Sequence, residues 1–186
     1  MGYLFDLEEL GEVARSAIGQ PFETMAQVVT RALVDHYPDH VDPSPRWMFN
    51  LAGGATGAMG ILHASLTEYL ILFGTPIGTE AFSGRYLLDI HDFVIAGEMW
   101  TYNEDAFGSR VVTRVGEHAV LNRGRTKGFR LSEGSWLLEY GRGLIPTSLP
   151  MALGDAVFSG QDPITVWKTL HGYGRLVVKE LLQGKI

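Results

Sequence analysis

A chain of 186 residues, of which 46% are hydrophobic, is long enough to bury the core of one globular domain spanning residues 1–186. Its formal net charge of −6 argues against nucleic acid as a partner, because phosphate groups bind basic surfaces. Since the sequence has no cysteine, disulfides, thiolate metal sites and a cysteine nucleophile are excluded.

The first zone of the chain, residues 6–38, is predicted to be helical. Apolar residues recur there at helical spacing, at Leu7, Leu10, Val13, Ala14 and Ile18. Gly19-Gln20-Pro21 interrupts this pattern, and a second amphipathic helix is expected over residues 22–37. The N-terminus lacks the basic start and apolar core of a signal peptide. Because no apolar stretch reaches the roughly 20 residues of a transmembrane helix, a cytoplasmic protein is expected.

The second zone, residues 46–142, is predicted to form a β-sandwich or a small barrel. Glycines separate short runs of aromatic and β-branched residues, which is the pattern of strands joined by turns. The predicted runs are residues 47–52, 68–73, 86–96, 110–115, 127–131 and 136–140. The glycine-rich segment 53–60 lacks the spacing of a dinucleotide-binding motif, so its glycines are predicted to serve turns or close packing.

The third zone, residues 145–186, is predicted to be helical again. Pro150 lies near the start of one helix, and Asp162 with Pro163 provides the N-cap and first turn of the next. An apolar stripe with a basic opposite side follows, formed by Ile164, Trp167, Leu170, His171, Leu176, Val177, Val178, Leu181 and Leu182. The stripe is expected to cover the protein's own core at the mouth of the barrel. Peripheral contact with a membrane surface and delivery of an apolar ligand are the alternatives.

Two carboxylates lie in stretches that are predicted to be buried strands. The period of two places Asp92 on one face with Val94, and Glu139 on one face with Leu137. Burying an unpaired carboxylate is unfavourable, so each residue is a candidate functional group. Glu68 has a similar setting, but it is predicted to be structural because it could hold backbone N–H groups in place.

The six histidines do not predict a metal site. They are His36, His40, His63, His91, His118 and His171. None forms the His-x-His pair with a downstream glutamate that metal-binding double-stranded barrels use, so each is predicted to be structural. Neither a metal nor a cofactor is expected.

Ordered blocks of sequence between residues 46 and 173 form a recognisable pattern. The blocks are Gly57-Ala58-Met59, Leu62-His63-Ala64-Ser65-Leu66-Thr67-Glu68-Tyr69, Leu72-Phe73-Gly74-Thr75, Ser83-Gly84-Arg85-Tyr86, Trp136-Leu137-Leu138-Glu139-Tyr140-Gly141-Arg142-Gly143 and Asp155-Ala156-Val157-Phe158-Ser159. Together they resemble the fungal C-8 sterol isomerase and sigma-1 receptor family, with a looser match over residues 101–133.

The resemblance implies an α+β, mainly β, fold: a cupin-like β-barrel around an apolar cavity, flanked by helices and assembled as a homotrimer. It places the family's two essential acidic residues on Asp92 and Glu139, with Tyr69 within hydrogen-bonding reach of Glu139. The pocket-lining positions that it implies are Met59, Tyr69, Ile71, Phe73, Tyr86, Ile90, Met99, Leu149, Ala152 and Tyr173.

This resemblance implies an isomerase that shifts a carbon–carbon double bond in a lipid through a carbocation. Two carboxyl groups in an apolar cavity suit that reaction, because one can donate a proton while the other removes one. The sequence does not assign these two roles. The same pair could bind hydrophobic amines, since an ammonium group mimics the carbocation.

The sequence departs from the family pattern at its N-terminus and in the predicted cavity. Eukaryotic members carry an N-terminal membrane anchor, whereas Met1 here lies almost at the first helix, as in an unanchored bacterial form. Two positions that are bulky in the sigma-receptor branch are Ala55 and Leu131 in this chain. The expected ligand is therefore sterol-like, a terpenoid, a polyketide or another lipid.

Two further functions are compatible with the sequence. A non-catalytic receptor for lipids and hydrophobic amines would use the same carboxylates without rearranging the ligand. A purely structural oligomer would not depend on Asp92 or Glu139 for binding.

Overall fold

The computed structural model describes residues 2–186, and it is mainly β with four α-helices, as predicted. The helices are α1 (Leu7–Ser16), α2 (Phe22–His36), α3 (Leu149–Phe158) and α4 (Pro163–Leu182), with a short 3-10 helix at Ile145–Ser148. The strands are β1 (Trp47–Ala52), β2 (Ala55–Ala64), β3 (Glu68–Thr75), β4 (Thr79–Phe82), β5 (Leu88–Ala96), β6 (Glu98–Asn103), β7 (Val111–Arg114), β8 (His118–Leu121), β9 (Lys127–Leu131) and β10 (Ser135–Gly143).

The strands form two antiparallel sheets rather than one hydrogen-bonded barrel. The larger sheet has the order β1-β2-β3-β10-β5-β8, and the smaller has the order β4-β9-β6-β7. Three of the four edge strands, β4, β7 and β8, have only four residues each, so they are too short to close the ladder around the cavity. Isolated contacts link the sheets instead: the Phe82 N–H donates to the Gly53 carbonyl, and the Thr56 N–H donates to the Thr79 hydroxyl.

The two faces of the larger sheet bury different surfaces. On the outer face, Leu138, Tyr140 and Phe93 pack with α1 and α2 residues such as Leu10 and Leu33. Residues one position along each strand point to the opposite face. There Leu137, Val94, Ile71 and Phe73 join a second cluster with Met99 and Leu131 of the smaller sheet. The period of two therefore separates the helix-covered face from the face that borders the interior between the sheets.

Four strands were not predicted from the sequence, namely β2, β4, β6 and β8. In β2 the glycines hide the strand pattern, and their predicted roles in turns and close packing are confirmed. Gly53 and Gly54 form the β1–β2 turn with φ of +62° and +90°. Gly57 lies inside β2, where an added Cβ would be 2.7 Å from the Gly74 carbonyl oxygen.

The C-terminal helices begin near the predicted positions, but α4 buries a different face from the one predicted. The Asp162 carboxylate caps α4 by accepting the N–H groups of Ile164 and Thr165. Of the predicted apolar stripe, Leu176 and Val177 are buried, whereas Ile164, Trp167, Leu170, Val178, Leu181 and Leu182 are exposed. Over residues 2–186, no helix combines the length and the apolar character that crossing a membrane requires.

Glu68 fastens both ends of the chain to the centre of the larger sheet. Its fully buried carboxylate accepts the Leu4 N–H at 2.9 Å and the Tyr140 hydroxyl at 2.5 Å, and it pairs with the Lys185 ammonium. Burial by itself raises the pKa of Glu68, but Lys185, Tyr140 and the Leu4 N–H outweigh it and lower the pKa below its ordinary value. The carboxylate form is therefore the one that the fold stabilises.

We expect Glu68→Gln to lower the free energy of unfolding by about 3 kcal/mol at pH 7, because it leaves the Lys185 ammonium without its partner. Since the pKa of Glu68 is lowered by folding, this stabilisation is present above the ordinary glutamate pKa of about 4.3 and is lost as the pH falls through the folded-state value. Urea denaturation of both proteins from pH 7 down to pH 3 measures this difference.

The matched control is Glu80→Gln, because the Glu80 side chain is 75% exposed. It should change the free energy of unfolding by less than about 0.5 kcal/mol. A Glu68→Gln loss as small as this control, or one that grows on acidification, would contradict the role of Glu68.

Candidate functional site

Asp92 and Glu139 lie directly opposite each other on neighbouring strands. In the antiparallel pairing of β5 with β10, Glu139 is the register partner of Asp92, and Leu137 is the partner of Val94. Directly opposed residues point to the same face of a sheet, with Cβ atoms about 4.5–5.5 Å apart. Both carboxylates border one cavity between the two sheets. The structure thus brings the two predicted acidic residues into a single site.

The Glu139 carboxylate is enclosed by protein, although part of its surface faces the cavity. The Tyr69 hydroxyl donates to Glu139 Oε1 at 2.6 Å, which confirms the hydrogen bond that the resemblance implied. Burial and the charge of Asp92 raise the pKa of Glu139 to about 7, against the opposing effects of Tyr69 and Lys127. A carboxyl group with this pKa can hold or release a proton near neutral pH.

Asp92 forms an ion pair that crosses from one sheet to the other. The ammonium of Lys127, on β9 of the smaller sheet, lies 2.5 Å from Asp92 Oδ2. The Asp92 residue is only 2% exposed, so the Lys127 ammonium and the Asp92 carboxylate form a buried ion pair. Lys127 was not predicted from the sequence as a site residue. The period of two that puts Lys127 on one face with Phe129 and Leu131 was the signal that could have found it.

The cavity has a volume of about 170 Å³, whereas one water molecule needs only about 10–15 Å³. All ten predicted pocket-lining residues border it. The lining residues that the sequence analysis did not predict include Asn50, Ile61, Phe82, Ser83, Lys127, Phe129, Leu137, Ile145, Met151 and Thr169. Most of these side chains are apolar, so the cavity suits a hydrophobic molecule.

Helices from the third zone complete the cavity wall. Leu149 and Ala152 of α3 border the cavity, as do Thr169 and Tyr173 of α4. The Tyr173 hydroxyl donates to the Ser65 carbonyl at 3.0 Å, which holds α4 against the β2–β3 turn. Burial raises the pKa of Tyr173 to about 12, so its hydroxyl stays neutral and able to donate.

Of three other residues considered in the sequence, one borders the cavity and two do not. Ala55 borders the cavity, but Leu131 is not among the residues that border it and packs in the core with Met99. Glu68 lies on the outer face of the larger sheet and is not among the cavity residues either. The prediction that Leu131 lies in the cavity is therefore wrong. Leu131 is the last residue of β9, four residues beyond Lys127, which does border the cavity.

The six histidines lie outside the cavity lining. His91 and His118 stack on the outer face of the larger sheet, with His91 Nδ1 3.1 Å from His118 Nε2. Burial, together with the positive charge of Arg142, lowers the pKa of His91 to about 4. His91 is therefore neutral at pH 7 and takes part in aromatic stacking.

We expect Tyr69→Phe to raise the pKa of Glu139 above about 7. The hydroxyl donates its hydrogen bond to the carboxylate form, so its removal leaves that form less stable relative to the neutral acid. Titration of the glutamate side-chain carboxyl carbons by ¹³C nuclear magnetic resonance measures the shift.

Tyr86→Phe is the matched control for this titration. Tyr86 borders the same cavity, and burial together with the charge of Glu139 raises its pKa, so that its hydroxyl is neutral at pH 7. Its removal should leave the Glu139 titration nearly unchanged. A fall in the pKa of Glu139 in the Tyr69→Phe variant would show that the hydrogen bond has another role.

Comparisons with known proteins identify relatives of the chain. Residues 1–185 match the family described as ERG2 and Sigma1 receptor like protein. C-8 sterol isomerase ERG2 of Gibberella zeae is 37% identical over 99% of this chain and 79% of its own length. Sigma non-opioid intracellular receptor 1 of Taricha granulosa is 39% identical over 96% of this chain and 80% of its own.

Solved structures match over a smaller part of the chain. An RmlC-like cupin from Shewanella frigidimarina covers 54% of this chain and 85% of its own, with a TM-score of 0.45 and 14% identity. The sequence relatives, in contrast, match nearly the whole chain at more than 35% identity. The protein is therefore a member of the C-8 sterol isomerase and sigma-1 receptor family.

Proposed function

We propose that this protein is an isomerase that moves a carbon–carbon double bond within a hydrophobic substrate held between the two sheets. The observation that carries the proposal is the direct opposition of Asp92 and Glu139 in an apolar cavity. Relatives named C-8 sterol isomerase, in Gibberella zeae and Pyricularia oryzae, support the reaction type.

The environments of the two carboxyl groups suggest a division of roles. Glu139, whose pKa is about 7, is the proton donor to one carbon of the alkene. Asp92, whose carboxylate pairs with the Lys127 ammonium, accepts a proton from the carbon next to the cationic carbon, an allylic position of the original alkene. The double bond then re-forms between the cationic carbon and the carbon that lost the proton. The substrate gains one proton and loses another, and its composition is unchanged.

The cavity also favours the carbocation over the neutral alkene. Once Glu139 has given up its proton, two carboxylates and one ammonium border the cavity, which leaves a net negative charge beside the cation. Fixed charges in a site of low dielectric stabilise such a transition state more than water does. Apolar walls such as Ile71 and Phe73 keep out the water that would capture the cation.

The substrate class follows from the lining. Most of its side chains are apolar, and the charged ones among the described lining residues are Asp92, Glu139 and Lys127. A sterol-like, terpenoid or polyketide hydrocarbon skeleton with an internal double bond therefore fits this site best.

A receptor without catalysis is the second candidate. The sigma non-opioid intracellular receptors of Taricha granulosa and Danio rerio are 39% and 38% identical to this chain, which is as similar as the named isomerases are. In this alternative a lipid or a hydrophobic amine occupies the same cavity and leaves unchanged.

Deuterium incorporation separates these two functions. We expect the protein in heavy water to add deuterium to a member of a panel of Δ8 sterols and terpenoid alkenes while shifting its double bond. Asp92→Asn and Glu139→Gln should each slow this incorporation by about 10²–10⁴-fold, because each removes one proton-transfer group. Mass spectrometry and nuclear magnetic resonance of the recovered lipid give the label and its position.

Asp89→Asn is the matched control, because Asp89 lies three residues from Asp92 and on the opposite face of β5. The asparagine side chain can still accept the hydrogen bond that the Arg123 N–H donates to Asp89. It should keep the wild-type rate. Recovery of unlabelled ligand that nevertheless binds through Asp92 and Glu139 would establish the receptor. Binding that survives both substitutions would overturn both functions and favour a structural oligomer.

We further propose that α4 contacts a membrane surface. Ile164, Trp167, Val178 and Leu182 are exposed along this helix, and Lys168 lies among them. An amphipathic helix with apolar and basic residues on its exposed side can lie in the lipid headgroup region. Such contact would place the cavity wall next to a source of lipid.

Vesicle flotation tests this contact. Trp167→Ser should weaken binding to phosphatidylcholine vesicles that also contain phosphatidylglycerol by about tenfold, because a Trp side chain contributes much of the buried apolar area. Val120→Ser, at an exposed position of β8, is the control and should bind as the wild type does. Equal vesicle binding by both variants would show that Trp167 does not contact the membrane. A wild-type protein that fails to bind vesicles and has the molar mass of a trimer by light scattering would show that the exposed face has another role.

A further inference from the structure

The cavity contains its own cation. Lys127 is the one basic side chain among the described residues that border it. Its side chain is 11% exposed, and its ammonium pairs with Asp92, whose side chain is 3% exposed. An ion pair buried to this degree is costly to desolvate, and apolar side chains of similar volume are often at least as stabilising. The position of this charge therefore calls for an explanation beyond holding the two sheets together.

The backbone fixes where the ammonium lies. The Lys127 N–H donates to the Ser83 hydroxyl at 2.9 Å, and the Lys127 carbonyl accepts the Ser83 N–H at 2.9 Å. These reciprocal bonds hold the first residue of β9 beside the end of β4. From there the side chain reaches Asp92 on the facing sheet. Lys127 thus pairs with one of the two carboxyl groups that a ligand ammonium could meet in this cavity.

We propose that Lys127 determines ligand specificity by serving as a resident counter-ion of Asp92, so that the cavity selects uncharged hydrophobic ligands over hydrophobic amines. This inference rests on the proposed function in one respect, namely that ligands bind in this cavity. A ligand ammonium beside Asp92 would meet the Lys127 ammonium or have to displace it, and like charges in such a site are strongly unfavourable. An alkene or an alcohol meets no such opposition.

The charges of the cavity agree with this selectivity. When Glu139 is protonated, the lining carries one carboxylate and one ammonium, so its net charge is zero. A neutral ligand preserves this balance, whereas an amine adds an uncompensated positive charge until Glu139 ionises. The preference for neutral ligands should accordingly be strongest when Glu139 holds its proton.

Two probes of the same skeleton test the proposal. Isothermal titration calorimetry with the full chain at pH 6 compares 5-phenylpentan-1-ol with 5-phenylpentylamine, which differ in charge but little in size. The wild type should bind the alcohol at least about tenfold more tightly than the amine. Tighter binding of the amine by the wild type would overturn the proposal without any substitution being made.

Substitutions then assign the preference to Lys127. Lys127→Gln, which removes the charge and keeps an N–H donor, should improve amine binding by about tenfold and change alcohol binding by less than about threefold. Lys127→Arg retains the charge and should retain the wild-type preference. Arg130→Gln is the control on the opposite face of β9, where the side chain is 54% exposed, and should leave both affinities unchanged.

Asp92→Asn provides a test from the other side of the ion pair. It leaves the Lys127 ammonium without its carboxylate, so the preference should shift toward the anion 5-phenylpentanoate by about tenfold. A merely structural ion pair would change thermal stability in these variants but not the ratio of affinities. An unchanged amine-to-alcohol ratio in Lys127→Gln would therefore refute the proposal.

Different results would overturn the proposed function and the specificity role of Lys127. If no lipid is labelled with deuterium but the probes show the Lys127-dependent preference, the proposed isomerase function fails and the specificity role stands. If neither probe competes with a lipid that the protein isomerises, the specificity role of Lys127 is wrong. If both probes bind competitively with an isomerisation substrate but without a Lys127-dependent preference, the proposed function stands and the specificity role of Lys127 is wrong.

Discussion

The register between β5 and β10 is the constraint on which the rest of the site depends. It sets Asp92 opposite Glu139, and the period of two sends both carboxylates toward the cavity. A shift of one residue would turn Tyr140 inward and place Glu139 against α1 and α2, where it would lack a partner. Burial on both faces makes such a shift costly, because Leu138 and Tyr140 fill the outer core while Leu137 fills the inner one.

The same sheet holds two buried glutamates in opposite electrostatic settings. Glu68 faces outward, where an ammonium, a tyrosine hydroxyl and a backbone N–H lower its pKa and fix it as a structural anion. Glu139 faces inward, where burial and the charge of Asp92 raise its pKa to about 7. Burial alone therefore does not identify a catalytic candidate. The balance between desolvation and available partners separates the residue that holds the fold from the residue that can exchange a proton.

The sequence predicted what depends on local periodicity and missed what depends on distant contacts. Strands β1 and β9 end at the predicted residues, and the faces of Asp92 and Glu139 follow from alternation alone. The glycines of β2 and the short lengths of β4 and β8 gave no comparable signal. The partner of Lys127 lies 35 residues earlier in the chain and on another sheet, so no local pattern could join them. The stripe on α4 was visible, but which part of it would be buried depended on packing against β1 and β2.

The proposed mechanism also explains why an ammonium and two carboxyl groups belong in one cavity. With Glu139 protonated and the alkene bound, the charges of Asp92 and Lys127 cancel. Proton donation creates a cation and a Glu139 anion, and proton removal by Asp92 leaves a neutral acid beside that anion, so the sum stays zero throughout the reaction. After the product leaves, Asp92 releases its proton to solvent and Glu139 takes one up from solvent, which restores the site and lets deuterium enter at each turnover in heavy water. During the reaction each proton transfer moves charge over only a few ångströms and leaves the summed charge of site and ligand at zero. This keeps the desolvation cost of an apolar site low.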